Sequence, residues 1–296
     1  MIDELNTIIQ IKQPLEVLQQ SIEPFMVNDI KFFPQWHPNG FITYNGMIDN
    51  LKLNIFNDSL SIKNSWHKFY KGNNYSDYSF TDIKRTYDKL ETKLGLSISD
   101  AEIKRIGYGC VIKTNPHKVF KSWKYLRNTE SKPMYKNGTQ YGSFFPFTDY
   151  KIKGYDKTFE VWKHNNIRIE PDYFRFEKEV KYMRHLHNRK QPIGIYKTKD
   201  LFNKDILIQL SQDLITNYRL IEKTPQMNLK GLNPKQLRVL AVMENNTLRN
   251  ELKANHNKTY KRDKELYKNL FKGELNTFND EVETLITDKL NILLNS

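Results

Sequence analysis

The feature that most constrains this chain is a run of short segments in which apolar and polar residues alternate. Residues 41–44, 51–56 and 60–62 are rich in β-formers, and the turn residues Asn45-Gly46 and Asn57-Asp58 separate them. Alternation sends successive side chains to opposite faces, and tight turns make neighbouring strands antiparallel. Two segments follow the helical period instead. Residues 79–96 offer Ser79 or Thr81 as cap and Asp82 in the first turn. Ile83, Tyr87, Leu90 and Leu94 then form one stripe, and Gly95 ends it. Asn115-Pro116 opens a second helix whose buried side is Val119, Phe120, Trp123 and Leu126. Residues 103–112, 150–155 and 173–183 return to strand character, and 137–147 reads as a loop or hairpin. This order predicts an α+β fold: a mainly antiparallel, palm-like sheet with helices on one face.

The two ends read differently. Pro14, Pro24, Pro34 and Pro38 punctuate an irregular first part that runs to about Gly40. Residues 199–218 resume helix, and 227–234 read as a hinge. Helices then start at Asn233-Pro234, over 259–271 and at Asn279. The last carries Val282, Leu285, Ile286, Leu290 and Leu293 on one face. The expected division is 1–226 and a helical region 227–296.

Charge narrows the partner. Lys and Arg number 47 against 34 Asp and Glu, a net charge of +13. A phosphate backbone suits that balance, and the 17 Tyr and 17 Phe suit stacking on unpaired bases. A coding bias toward Lys and Asn is the competing explanation. Cys110 is the only cysteine, which excludes an intramolecular disulfide and a thiolate zinc cluster and fits a reducing compartment. No secretory leader and no apolar stretch near the roughly 20 residues of a spanning helix are seen, so a cytoplasmic protein without a membrane is expected. Phosphate-loop, nucleophile-elbow and zinc-helix signatures are missing. His185 and His187 would share a face if they lay in a strand, beside the basic residues Lys181, Arg184, Arg189 and Lys190.

Three polar segments carry the chemistry. They are Ser65 to Asn74, Tyr150 to Lys157 with Glu160 beyond, and Phe174 to Lys178. In order and spacing they resemble the replication initiators of filamentous phages and related phage and plasmid rolling-circle initiators. Ser65, Lys68, Gly72 and Asn74 match a Ser-x-x-Lys-x-x-x-Gly-His-Asn element. Tyr155, Lys157 and Glu160 match Tyr-x-Lys-x-x-Glu, and Arg175, Phe176 and Glu177 match Arg-Phe-Glu. The resemblance spans about residues 51–220.

It implies an endonuclease whose nucleophile is Tyr155, assisted by Lys157, acting on single-stranded or supercoiled origin DNA, with a host helicase as a further partner. Attack on a phosphodiester would leave a 5′-phosphotyrosyl link and a free 3′-hydroxyl. A tyrosyl hydroxyl needs activation and a nearby cation. Lys151, Lys153 and Lys157 are the candidates, and the expected DNA contacts are Lys68, Asn74, Lys151, Lys153 and Arg175. A divalent ion, Mg or Mn, is expected to polarise the phosphate, with Glu177, then Asp156 and His67, as ligands. Two departures stand out: Asn73 replaces the motif's imidazole, and Gly107 stands where relatives carry an acidic residue. They favour the alternative of a non-catalytic DNA- or RNA-binding regulator. A phage structural protein of incidental basicity is the third reading.

Overall fold

The structure is a computed structural model that describes residues 1–11, 23–188, 190–224, 232–270 and 275–296. The strands are β1 (Ile2–Gln10), β2 (Phe25–Val27), β3 (Ile30–Trp36), β4 (Ile42–Ile48), β5 (Leu51–Phe56), β6 (Ser59–Ser65) and β7 (Glu102–Lys113). After them come β8 (Trp123–Leu126), β9 (Thr129–Glu130), β10 (Lys132–Lys136), β11 (Thr139–Pro146), β12 (Tyr150–Asp156), β13 (Tyr173–Val180) and β14 (Ile221–Lys223). Eleven of them form one antiparallel sheet in the order β10-β11-β12-β13-β7-β1-β6-β5-β4-β3-β2. The helices are α1 (Trp66–Lys71), α2 (Phe80–Leu94), α3 (Pro116–Lys121), α4 (Lys157–Asn165), α5 (Arg184–His187) and α6 (Lys204–Arg219). Beyond these lie α7 (Pro234–Glu244), α8 (Asn246–Asn255), α9 (Asn257–Leu270) and α10 (Leu275–Asn295). The α+β class with a large antiparallel sheet and a helical C-terminal region is therefore as expected.

Several local expectations give way. The first forty residues hold three strands, and β1 lies at the middle of the sheet between β6 and β7. Asn45 and Gly46 lie inside β4; the turn falls at Asp49, which takes the left-handed conformation at φ 49°. Helix α3 stops at Lys121, and Trp123 and Leu126 belong to β8, although both are buried as expected. His185 and His187 sit in the single turn of α5. His185 stacks on Tyr150 and His187 on Tyr196, with ring centroids 4.0 and 4.1 Å apart. Helix α8 was not foreseen, and Asn279 lies inside α10 rather than capping it. Most of the expected hinge, 227–231, is outside the described residues.

Two compact units emerge. The first comprises Met1–Glu222 together with Leu285–Ser296, so the end of the expected region 227–296 belongs with the sheet. Val282, Ile286, Leu290 and Leu293 form the buried stripe of α10. The second unit, Lys223–Thr284, is helical, with Asn233 capping α7 through a capping box and Tyr267 of α9 donating to Glu244 of α7.

The two faces of the sheet do different things. Strand alternation puts Ile152 and Gly154 on one face and Lys151, Lys153 and Tyr155 on the other. Trp123 covers the first face, packing on Phe145, Phe174 and Phe176. Helix α6 covers it further along, where Tyr218 meets Phe176 edge-on at 5.3 Å. The indole lies so close to Gly154 that a Cβ there would stand 2.1 Å from Trp123 Cη2 and 2.8 Å from Phe174 Cζ. Gly154→Ala must displace both rings, so thermal melting should show a loss of about 1–3 kcal/mol. An unchanged melting temperature would mean that the indole is not held in this position.

Candidate active site

Tyr155 is the penultimate residue of β12, and Asp156, its last, caps α4 by accepting from the Phe159 amide at 2.9 Å. That cap fixes where Lys157 and Glu160 enter. Lys157 Nζ is fully buried and donates to Glu160 Oε2 at 2.7 Å and to Asn74 Oδ1 at 2.9 Å. Asn74 follows α1, whose N-cap is Ser65 and whose left-handed C-cap is Gly72. The register of β12 on β13 sets Tyr155 opposite Arg175 and Lys153 opposite Glu177. Tyr155 Oη donates a long hydrogen bond, 3.4 Å, to Glu177 Oε2. The same carboxylate takes Lys153 Nζ at 2.6 Å on its other oxygen and an Nε–H donor from Arg175. Arg175 also donates to Asp3 Oδ2 at 2.6 Å and to the Asn74 carbonyl at 2.7 Å, while Ser65 Oγ donates to Asp3. The three sequence segments thus meet in one network, and β1 supplies Asp3, a member that sequence reasoning missed.

Burial sets the electrostatics. Tyr155 is only 7% exposed. Burial and the adjacent Glu177 charge push its phenol well above the usual tyrosine range, with Arg175 opposing. Burial also tends to raise Glu177, but Lys153 and Arg175 outweigh it and hold the carboxyl well below its ordinary value. Burial and the Arg175 charge lower Lys157, against Glu160. Lys157 Nζ lies 5.8 Å from the centroid of the Tyr155 ring. The arrangement is a protonated phenol beside a buried ammonium.

The expected metal ligands are not brought together. Both oxygens of Glu177 are committed to cations, and Asp156 caps α4 and lies 3.6 Å from His117 Nε2. His67 of α1 is buried and stacks on Tyr78 at 4.7 Å. Among the described residues, no group of three or more His, Cys, Asp and Glu could hold a metal ion. The residues present do not fit the group. Gly109 rather than Gly107 faces Glu177 across the β13–β7 pair, and a Cβ at 109 would stand 2.3 Å from the Phe176 carbonyl. No acidic side chain fits there. Of the expected DNA contacts, Arg175 and Lys153 are tied into ion pairs and Asn74 holds Lys157. Lys151 lies on the same face opposite Glu179, and Lys68 is exposed on α1 outside the network.

His67 makes a pH prediction. Burial first, then the Met1 amine and Arg175, lower its imidazole from 6.5 to about 2. Between those values the unfolded chain binds a proton that the folded chain refuses. The contribution is whole above 6.5 and is lost as pH falls. Urea midpoints at about pH 7.5 and about pH 5.5 should differ by up to about 1.4 kcal/mol more in wild type than in His67→Phe. Equal differences in the two proteins would remove His67 as the source.

No family model matches this chain, and no curated protein does. Among solved structures it is similar to the rolling circle replication initiator protein from Geobacillus stearothermophilus, at 11% identity and a TM-score of 0.38. That match covers 79% of this chain and 89% of that one. So low a TM-score carries no weight, and the functional reading rests on the residues of the site.

Proposed function

We propose that this chain nicks one strand of origin DNA through Tyr155 to start rolling-circle replication. The observation behind this is that Ser65, Asn74, Lys157, Glu160, Arg175 and Glu177 join in one network beside Tyr155, whose hydroxyl reaches Glu177. Tyr155 Oη attacks the phosphorus, the bond to the 3′-oxygen breaks, and a 5′-phosphotyrosyl link forms. Glu177 Oε2 is the acceptor nearest the phenol proton, and Lys157 gives a proton to the departing 3′-oxygen. Arg175 and Lys153 supply positive charge where the phosphate gains negative charge. The phenol is nearly closed off, so binding must open the site before attack. The helical unit 223–284 is left to meet duplex origin DNA or a host helicase.

That closure favours a second reading, a DNA- or RNA-binding regulator without catalysis. One assay separates the two. Single strands tiling the origin, and the supercoiled origin plasmid, are incubated with protein in Mg²⁺, Mn²⁺ or chelator and run on denaturing gels. A covalent protein–DNA adduct supports nicking. Binding without an adduct on any substrate selects the regulator.

A further inference from the structure

The part of the sheet remote from Tyr155 leaves one face uncovered. Register places Met47, Lys52, Lys63, Asn6 and Arg105 in a row across β4, β5, β6, β1 and β7. The next row is Phe33, Asn45, Asn54, Ser61 and Ile8. The floor between them is a trough of about 460 Å³ lined by Asn6, Asn54, Phe56, Ser61, Lys63 and Lys104, among others, and no acidic residue lines it.

Three observations point to its occupant. Lys52 and Lys63 face each other directly across β5 and β6, both exposed, and neither forms an ion pair among the described residues. Like charges in that position destabilise a sheet unless an anion lies between them. Phe33, Met47 and Phe56 are 52%, 59% and 38% exposed on the same face. Open rings at a trough's rim suit stacking on unpaired bases. The floor carries hydrogen-bonding groups as well: Asn54 donates to Asn45 and Asn45 to Gln35, at 2.8 and 2.6 Å. Asn6 Oδ1 and Ser61 Oγ are buried beneath it and have no hydrogen-bond partner among the described residues. Arg105 then reaches Glu179, which also pairs with Lys153 beside the site.

We propose that this trough binds single-stranded nucleic acid: Lys52 and Lys63 take phosphates, and Phe33 and Phe56 stack on bases. It rests on the nicking reading for the strand's identity as origin DNA. A duplex keeps its bases stacked inside and would leave the rings unused.

The test is fluorescence anisotropy of fluorescein-labelled oligo-dT, alone or annealed to oligo-dA, across a salt series. Full-length Tyr155→Phe is the background, so no covalent product forms. Lys52→Glu/Lys63→Glu is expected to weaken single-strand binding about tenfold or more and to reduce the salt slope by about 1.4. Phe33→Ala/Phe56→Ala is expected to weaken it several-fold at unchanged salt slope. All four positions are exposed, and unchanged thermal melting confirms folding. Binding equal to the background in either variant, or duplex bound as tightly as single strand, overturns the proposal. A missing adduct in the gel assay would sink nicking and leave this result standing.

Discussion

Tyr155→Phe is expected to reduce adduct formation and nicking by at least about 10⁴-fold, because it removes the oxygen that the proposed reaction uses and keeps the ring. The ring keeps its packing against Tyr141, whose centroid is 6.3 Å away. The lost hydrogen bond is the 3.4 Å contact with Glu177, so stability should change by less than about 1 kcal/mol. Gel quantification and a thermal melt on the same preparation check both statements. An adduct that survives the substitution would move the nucleophile to another phenol. Tyr141 is the nearest; Tyr150 is on the covered face, where its hydroxyl accepts from Arg127. Loss of the adduct together with the fold would make Tyr155 a packing residue.

Asp213→Ala should produce the largest loss of stability. Lys178 is fully buried on the covered face, and its ammonium donates to Asp213 Oδ2 at 2.7 Å; the Tyr108 hydroxyl donates to the same oxygen at 2.6 Å. Removing the carboxylate takes its counter-charge from a buried ammonium and an acceptor from the Tyr108 hydroxyl, which costs about 3–5 kcal/mol. Lys178→Met/Asp213→Leu removes both charges and should recover most of that loss. Chemical denaturation of the three proteins decides the matter. A cost below about 1 kcal/mol for Asp213→Ala would show that water reaches the pair.

What was legible in the sequence was whatever local chemistry decides. Ser79 with Asp82 and Gly95 bound α2 as expected, because caps satisfy backbone groups within a turn. Strands β5 and β6 were legible from alternation and the Asn57 turn. Strand β1 was not, since register shifts between Ile2 and Leu5 and between Asn6 and Thr7 break its period. Residues 119–126 misled because Val119, Phe120, Trp123 and Leu126 fit a helical stripe. The backbone turns at Ser122, yet all four stay buried. At the site, the family resemblance assigned Tyr155, Lys157, Asn74, Arg175 and Glu177 to one centre, and the fold brings them together. The resemblance missed Asp3, which only the sheet order brings there, and it did not foresee that Lys153 and Arg175 would occupy Glu177.

The central place of β1 has a consequence for how the protein acquires its chemistry. Asp3 and Arg175 are 172 positions apart in the chain, and Tyr108 and Asp213 are 105 apart. Contacts of such separation must close long loops before they return any stabilisation, so folding is slow and the site forms late. A partly synthesised chain that ends before β13 has the phenol but neither Arg175 nor Glu177 around it. The network around Tyr155 therefore belongs to the finished fold alone, and a chain still being made holds its phenol without the groups that surround it.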